Sequence, residues 1–247
     1  MLTEKRYELI LELLDKKRSV TVPEIKEVLG VSESTIRRDL NALDKAGRLT
    51  KVFGGAVSSD GTFTGTEPSV AQKMELQQEE KRRIAQFAAG LIQPDDFVYL
   101  DAGTTTGYIL DYLPARSATF VTNAVSHAKR LAAGNRVILI GGELKGTTEA
   151  VIGSQAILTI QGYHFTKGFF GTNGVSKRHG FTTPDPNEAL VKQEAMRQTE
   201  RCYVLADSQK FGMVSSVTFG VFEEATILTE TEPPEGFSGS KNIRVAK

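Results

Sequence analysis

The sequence predicts an α/β protein in two parts, a small helical N-terminal domain and a larger domain built on a parallel sheet. Three observations carry this expectation. The first fifty residues hold three amphipathic helical patterns, followed by a β-type run broken by a glycine pair. Residues 58–66, SSDGTFTGT, are rich in Ser, Gly and Thr and offer little to bury, which marks a linker. Beyond them, short apolar runs without polar alternation are separated by helical patterns, as in a sheet covered on both faces. The expected division is a domain over 1–57, a linker over 58–75 and a domain over 76–247.

Each element has a local reason. Tyr7, Ile10, Leu11 and Leu14 fall at i, i+3, i+4 and i+7, one face of a helix. In TVPEIKEVLG, Thr21 and Glu24 have the spacing of a capping box, and Pro23 is tolerated in the first turn. Ile25, Val28 and Leu29 are expected to form the buried face of that helix, and Gly30 to stop it. The third helix starts at Ser32 as N-cap, buries Ile36, Leu40 and Leu43, and ends at Gly47. In RLTKVFGGAV, Gly54 and Gly55 suit a tight hairpin turn.

In the second part a helix around 81–92 leads to the strand FVYLD and a glycine-threonine loop. A helix, the strand TFVTN, a helix over 127–133 and the strand RVILIGG follow. Later come KGFFGTNG, a helix over 188–199, and the strands CYVLAD and ATILTE.

Of the 247 residues, 40% are hydrophobic and 24% charged, and the formal net charge is zero. The chain as a whole is therefore not drawn to nucleic acid or anionic lipid, and any nucleic-acid site must be a local patch. The single cysteine, Cys202, excludes an internal disulfide and a cysteine-based zinc site, and suits a reducing compartment. Its apolar run, RCYVLAD, points to an inert thiol. The N-terminus lacks the apolar core of a signal peptide, and no apolar run reaches the roughly 20 residues that span a bilayer. The cytoplasm is the expected compartment, with no membrane partner. His127, His164 and His179 are scattered without ligand spacing, so no metal is expected. No cofactor is implied either.

Three helices with a tight turn before the last form a helix-turn-helix, whose last helix enters the major groove of duplex DNA. Ser32, Ser34, Thr35, Arg37 and Arg38 cluster at the start of that helix, opposite Ile36 and Leu40. Ser and Thr serve phosphates or bases, and Arg grips guanine bidentately. Thr21, Lys51, Gly54 and Gly55 complete the candidate DNA-contacting set. Between Ser34 and Phe53 stand five basic and two acidic side chains. That surplus is modest, so binding is expected to need a dimer or tetramer. The pattern alone also fits an ordinary three-helix bundle with solvated arginines.

Parallel α/β sheets bind ligands at the carboxyl ends of their strands, and polar clusters recur there. They are Asp101 with Gly103, Thr104, Thr105 and Thr106; Thr122 with Asn123; Gly141 with Gly142; Asn173 in GTNG; and Asp207 with Lys210. Glycine permits close backbone approach, and hydroxyls donate to oxygen. One such loop is also what a turn with capping threonines looks like. Five of them, with Lys210 and Lys192 as cations, describe a pocket for a phosphorylated, hydroxylated small molecule. Lys192 reads equally well as part of a solvated helix face.

The stretch VSESTIRRDLNALDKAGRLTKVFGGAV resembles the DNA-binding segment of the DeoR family of bacterial transcriptional repressors. Ser32, Thr35, Arg37, Arg38, Asp39, Leu40, Leu43, Gly47, Gly54, Gly55 and Ala56 carry that resemblance. It implies a winged helix-turn-helix with KVFGGAV as the wing, and Asp39 as a carboxylate bracing a neighbouring arginine. LDAGTTT, VTN, GGELK, FFGTNGV, GFTTPDPNEALVKQEAM and YVLADSQKFG resemble the effector domain of the same family. That implies a larger Rossmann-like α/β sugar-phosphate-binding domain similar to ribose-5-phosphate isomerase and glucosamine-6-phosphate deaminase. GTNGV and GFTTPDPNEALVK are most similar to the fructose operon repressors of Gram-positive bacteria, which implies fructose 1-phosphate as effector.

The isomerase resemblance also poses an alternative, a sugar-phosphate isomerase or deaminase with a DNA-binding head. Such enzymes move protons with carboxylates from an acid-rich loop. Here GTNG stands in that place, with Thr172 and Asn173, and neither can act as a general base near neutral pH. Asp101 and Glu188 remain, readable as an acceptor for sugar hydroxyls and a helix-start charge. The expectation is a repressor that binds operator DNA and a sugar phosphate without turnover. The linker and the helix around 81–92 are expected to transmit the signal.

Overall fold

Helix α1 (Thr3–Lys17) is followed by strand β1 (Ser19–Thr21), α2 (Val22–Leu29) and α3 (Glu33–Lys45), then β2 (Leu49–Val52), β3 (Gly55–Ser58) and β4 (Thr62–Phe63). The computed structural model describes residues 3–17, 19–46, 48–52, 54–58, 62–63, 70–115 and 118–246. Gly47, Phe53 and half of the expected linker lie outside the described residues. The chain divides into two units, Met1–Phe63 and Thr64–Lys247.

In the first unit the local signals become geometry. The Thr21 hydroxyl accepts from the Glu24 amide and the Glu24 carboxylate accepts from the Thr21 amide, a closed capping box. The donated N–H bonds hold the Glu24 carboxyl down at about 2. Gly30 ends α2 with φ 64°, and Ser32 caps α3. Ile10, Leu14, Ile25, Leu29, Ile36, Leu40 and Leu43 meet in one core.

Val28 does not join that core; it is 53% exposed, and Val22 is buried instead. Successive helical residues are about 100° apart, so 22, 25 and 29 share a face from which 28 is turned away. The sequence reading also missed β1, which pairs antiparallel with β3. Gly54, at φ 82°, makes the turn. Gly55 serves a different purpose, because a Cβ there would lie 2.2 Å from the Val20 carbonyl oxygen. Asp39 does brace an arginine, but a distant one: Arg6 of α1 donates to both its oxygens, at 2.6 and 2.9 Å.

The second unit runs α4 (Val70–Glu75), α5 (Gln78–Ala89), β5 (Phe97–Leu100), α6 (Thr104–Ile109), β6 (Thr119–Thr122), α7 (Val125–Leu131) and β7 (Arg136–Leu139). The hairpin β8 (Glu143–Lys145) and β9 (Ala150–Ile152) comes next, then α8 (Ser154–Gln161) and β10 (Phe165–Gly171). After β11 (Gly174–Ser176) and β12 (Gly180–Thr183) come α9 (Pro186–Arg197), β13 (Thr199–Leu205), β14 (Met213–Val214), β15 (Val217–Gly220), β16 (Thr226–Thr229) and β17 (Ile243–Val245). Helix α4 occupies part of the stretch expected to be linker.

Seven strands form a sheet in the order β17-β16-β13-β10-β5-β6-β7, and every pairing in it is parallel. Alternate residues face opposite sides. Tyr99 and Val121 pack in one core with Phe165 and Phe170. Val98, Leu100 and Phe120 pack in a second with Ile84 and Phe169. Strand β7 departs from this, since it lies at the sheet edge with Arg136 and Leu139 exposed. The hairpin β8–β9, α8, the small β11-β12-β15 sheet and β17 were not anticipated. Burial pushes the half-buried Cys202 thiol up to about 12, so it stays protonated. No helix among the described residues is long and apolar enough to cross a membrane.

Candidate functional site

Strands β5, β6 and β7 step away from β5 in one direction, whereas β10, β13, β16 and β17 step away in the other. The carboxyl ends of β5 and β10 therefore mark the topological switch point, where open α/β sheets leave a crevice. A cavity lies there. Gly103, Thr104 and Thr105 line it from the loop after β5, and Gly171, Thr172 and Asn173 from the end of β10. Glu188 and Lys192 of α9, Lys210, Thr148 of the β8–β9 hairpin, Val70 and Lys73 of α4, and Lys81 of α5 complete it.

Four lysines thus converge on one cavity. Lys81 is buried and donates to the carbonyls of Lys73 and of Leu76 (2.6 Å). Burial lowers its ammonium pKa to about 8, against the opposing pull of Asp207. Lys192 pairs with the buried Asp101 carboxylate and donates to the Gly171 carbonyl at 3.1 Å. Asp101 also accepts from the Gly171 amide at 2.9 Å. Burial still pushes the Asp101 carboxyl up, with Lys192 drawing it back. Glu188 accepts from Thr148 at 2.5 Å and from Lys145 at 3.1 Å. Both carboxylates beside the cavity are therefore engaged by donors of the protein itself. No side chain caps α6.

Of the expected effector set, Gly103, Thr104, Thr105, Asn173, Glu188, Lys192 and Lys210 stand in the lining. The others do not. Asp101 and Asp207 lie behind it, each 1% exposed. Asp101 is thus no open acceptor for a sugar hydroxyl. Asp207 caps the 3-10 turn Ser208–Lys210 that presents Lys210. Thr106 donates to the Asp101 and Gly103 carbonyls. Thr122 donates to the Leu100 carbonyl at 2.6 Å. Asn123 accepts from Ala102 at 2.9 Å and donates to Val151, tying two loops together. Gly141 and Gly142 lead into β8, where a Cβ on Gly142 would lie 2.6 Å from the Ile152 carbonyl oxygen. These buried hydroxyls and amides satisfy backbone groups.

Lys73 and Lys81 escaped the sequence reading, although Lys81 carried a signal. Lys81, Ile84, Ala85 and Ala88 are buried together on α5, at i, i+3, i+4 and i+7. A lysine on an apolar helix face is seldom buried without a partner or a task.

At the head, Arg37 and Arg38 are exposed at the start of α3. Arg37 lies 3.7 Å from Glu33. The Ser32 hydroxyl is hydrogen-bonded to those of Ser34 and Thr35, each at 2.9 Å. On the hairpin, Lys51 reaches Asn41 of α3 at 2.7 Å. Thr21 is exposed but occupied by its capping box, and Gly55 is buried against β1. Gly55 shapes the hairpin and is not part of its outer surface.

Residues 6–62 match the DeoR-like helix-turn-helix domain, and residues 76–231 the DeoR C terminal sensor domain. The chain is 41% identical to the uncharacterized HTH-type transcriptional regulator FruR of Bacillus subtilis, over 100% of this chain and 98% of that one. It is 34% identical to the lactose phosphotransferase system repressor of Streptococcus mutans, over 92% of each. Among solved structures, ribose 5 phosphate isomerase A from Neisseria gonorrhoeae aligns over 55% of this chain and 54% of its own, at 14% identity and a TM-score of 0.41. With both domains matched and relatives along its whole length, the chain belongs to the DeoR family of DNA-binding transcriptional regulators.

Proposed function

We propose that the protein represses a sugar-utilisation operon in the cytoplasm and leaves its operator when a phosphorylated sugar, fructose 1-phosphate, fills the sensor cavity. The observation that carries this is the set of four lysines, Lys73, Lys81, Lys192 and Lys210, around a glycine-threonine loop at the switch point of the sheet. Such a cavity suits a small polyanion. Asp101 and Glu188 hold lysines and a threonine in place, which favours binding over proton transfer. The name FruR of one relative and the lactose phosphotransferase repressor support a sugar operon.

In the head, Arg37 and Arg38 of α3 read base edges in the major groove, while Ser34 and Thr35 meet phosphates. Lys51 and the Gly54 turn meet the adjoining backbone. The protein binds as a dimer or tetramer, which multiplies a modest head charge. Release requires that the effector bind one state better than the other, and coupling of about 1–3 kcal/mol suffices.

A band-shift assay tests this on a duplex that the protein itself selects from a random pool. Fructose 1-phosphate should release the duplex, while fructose and inorganic phosphate should not. Release by an unphosphorylated sugar, with a panel of sugar phosphates inert, refutes the phosphate reading.

A further inference from the structure

Helix α4 has six residues, far fewer than the roughly 12–15 that an isolated helix needs. Apolar burial does little at its far end, where Met74 is 48% and Leu76 57% exposed. Polar ties grip both ends instead. At one, the Val70 amide donates to the Thr147 carbonyl at 3.3 Å. At the other, the Lys81 ammonium donates to the carbonyls of Lys73 and of Leu76, the latter at 2.6 Å. Between α4 and α5 the chain turns at Gln77, whose φ of 49° and ψ of 46° are left-handed, a conformation that residues other than glycine seldom adopt.

A lysine is a costly clamp. Lys81 is only 4% exposed, and a buried ammonium carries a desolvation penalty that a neutral donor would largely avoid. What the lysine adds is a charge at the cavity, which α4 itself also lines through Val70 and Lys73. Burial lowers the Lys81 pKa to about 8; Asp207 opposes this, while the charges of Lys210 and Lys73 add to it. Like charges around one cavity repel, and an anion among them turns that repulsion into attraction. Two of the three N–H donors of the Lys81 ammonium serve carbonyls, and the third can meet such an anion.

We infer that Lys81 is a positioning residue for effector recognition: it holds α4 as one wall of the cavity, and an effector anion that joins Lys81 to Lys73 locks that wall in place. The effector gains the α4 contacts only when α4 is docked, so binding favours the docked state. Helix α4 lies next to the part of the linker at 64–69, so locking it fixes the point where the chain leaves the sensor domain. The inference deepens the proposed function and rests on the cavity being the effector site; its test has one arm that needs no ligand.

Lys81→Met keeps the length of the side chain and removes its charge and donors. In the free protein, the backbone amides of 70–76 should exchange hydrogen about tenfold faster in the variant than in the parent, with β13 amides unchanged. Saturating fructose 1-phosphate should slow exchange over 70–76 about tenfold in the parent. In the variant it should protect only 103–105, the loop that reports occupancy of the cavity. Parent-like exchange over 70–76 in the free variant overturns the inference, as does a loss of protection that extends equally to β13. Equal protection of 70–76 in both proteins, once 103–105 are protected in both, also overturns it. If Lys81→Met does not fold, the parent decides alone, since protection of 103–105 without protection of 70–76 counts against the lock. If fructose 1-phosphate protects neither segment of the parent, the proposed effector is wrong, while exchange in the free proteins still judges the clamp.

Discussion

His127 sets an acid limit on the sensor domain, and its size follows from the burial of the ring. Removal from water, and secondarily the nearby Arg130, lower its pKa from about 6.5 to about 4, against the pull of the Gly103 carbonyl. Between those two values the unfolded chain takes up a proton that the folded chain refuses. The stability is complete above about pH 6.5 and is lost as pH falls towards 4, at about 1.4 kcal/mol per pH unit. By pH 4 the loss is about 3 kcal/mol. Urea unfolding of the parent and His127→Gln between pH 4 and 7.5 measures it, since groups common to both cancel in the difference. Five of the six tyrosines lie beyond residue 63, so tyrosine fluorescence follows the sensor domain. The parent-minus-variant difference should be flat above pH 7 and fall by about 3 kcal/mol at pH 4. A difference curve that stays flat to pH 4 refutes the reasoning.

Five other perturbations have defined outcomes. Gly55→Ala drives a Cβ to 2.2 Å from a backbone oxygen and should destabilise the head by about 1–3 kcal/mol. Gly141→Ala, with nothing within 4 Å, should leave the melting curve alone. Lys192→Met strips the buried Asp101 of its ammonium and should cost about 3–5 kcal/mol, partly restored by adding Asp101→Asn; a parent-like urea midpoint counts against the pair. Arg37→Ala should weaken binding to the selected duplex by about 1–3 kcal/mol with the circular dichroism melt unchanged, and unaltered affinity removes Arg37 from the interface. Lys81, with a pKa of about 8, should gain a proton when an anion enters the cavity. Calorimetry of fructose 1-phosphate at pH 8 in two buffers should show net proton uptake, and affinity should decline as pH rises above 8.

The legible parts of this chain were those written in neighbouring residues. Thr21 with Glu24, Gly30 and Ser32 delimit helices because caps act across three or four positions, and the structure closes each as expected. The apolar runs FVYL, TFVT and TILT became buried parallel strands, since continuous apolarity has few other uses at that length. The phosphate-type loop was visible for the same reason, as Gly103, Thr104 and Thr105 are adjacent. The resemblance to DeoR repressors rested on such local signatures.

What the tertiary structure decided is which distant groups share a space. Asp39 meets Arg6, 33 positions away, and Asp101 meets Lys192, 91 positions away. Neither separation leaves a periodic trace in the sequence. Val28 looked apolar and interior, yet the phase of a two-turn helix is fixed only by where its neighbours pack. Thr122, Asn123 and Asp207 sit at strand ends as read, but strand order turned their polar atoms onto backbone groups. The same order brought Lys73 and Lys81 to the switch point beside Lys192 and Lys210. Sequence determines which elements form because those forces are local; the site depends on sheet topology, which long-range packing selects.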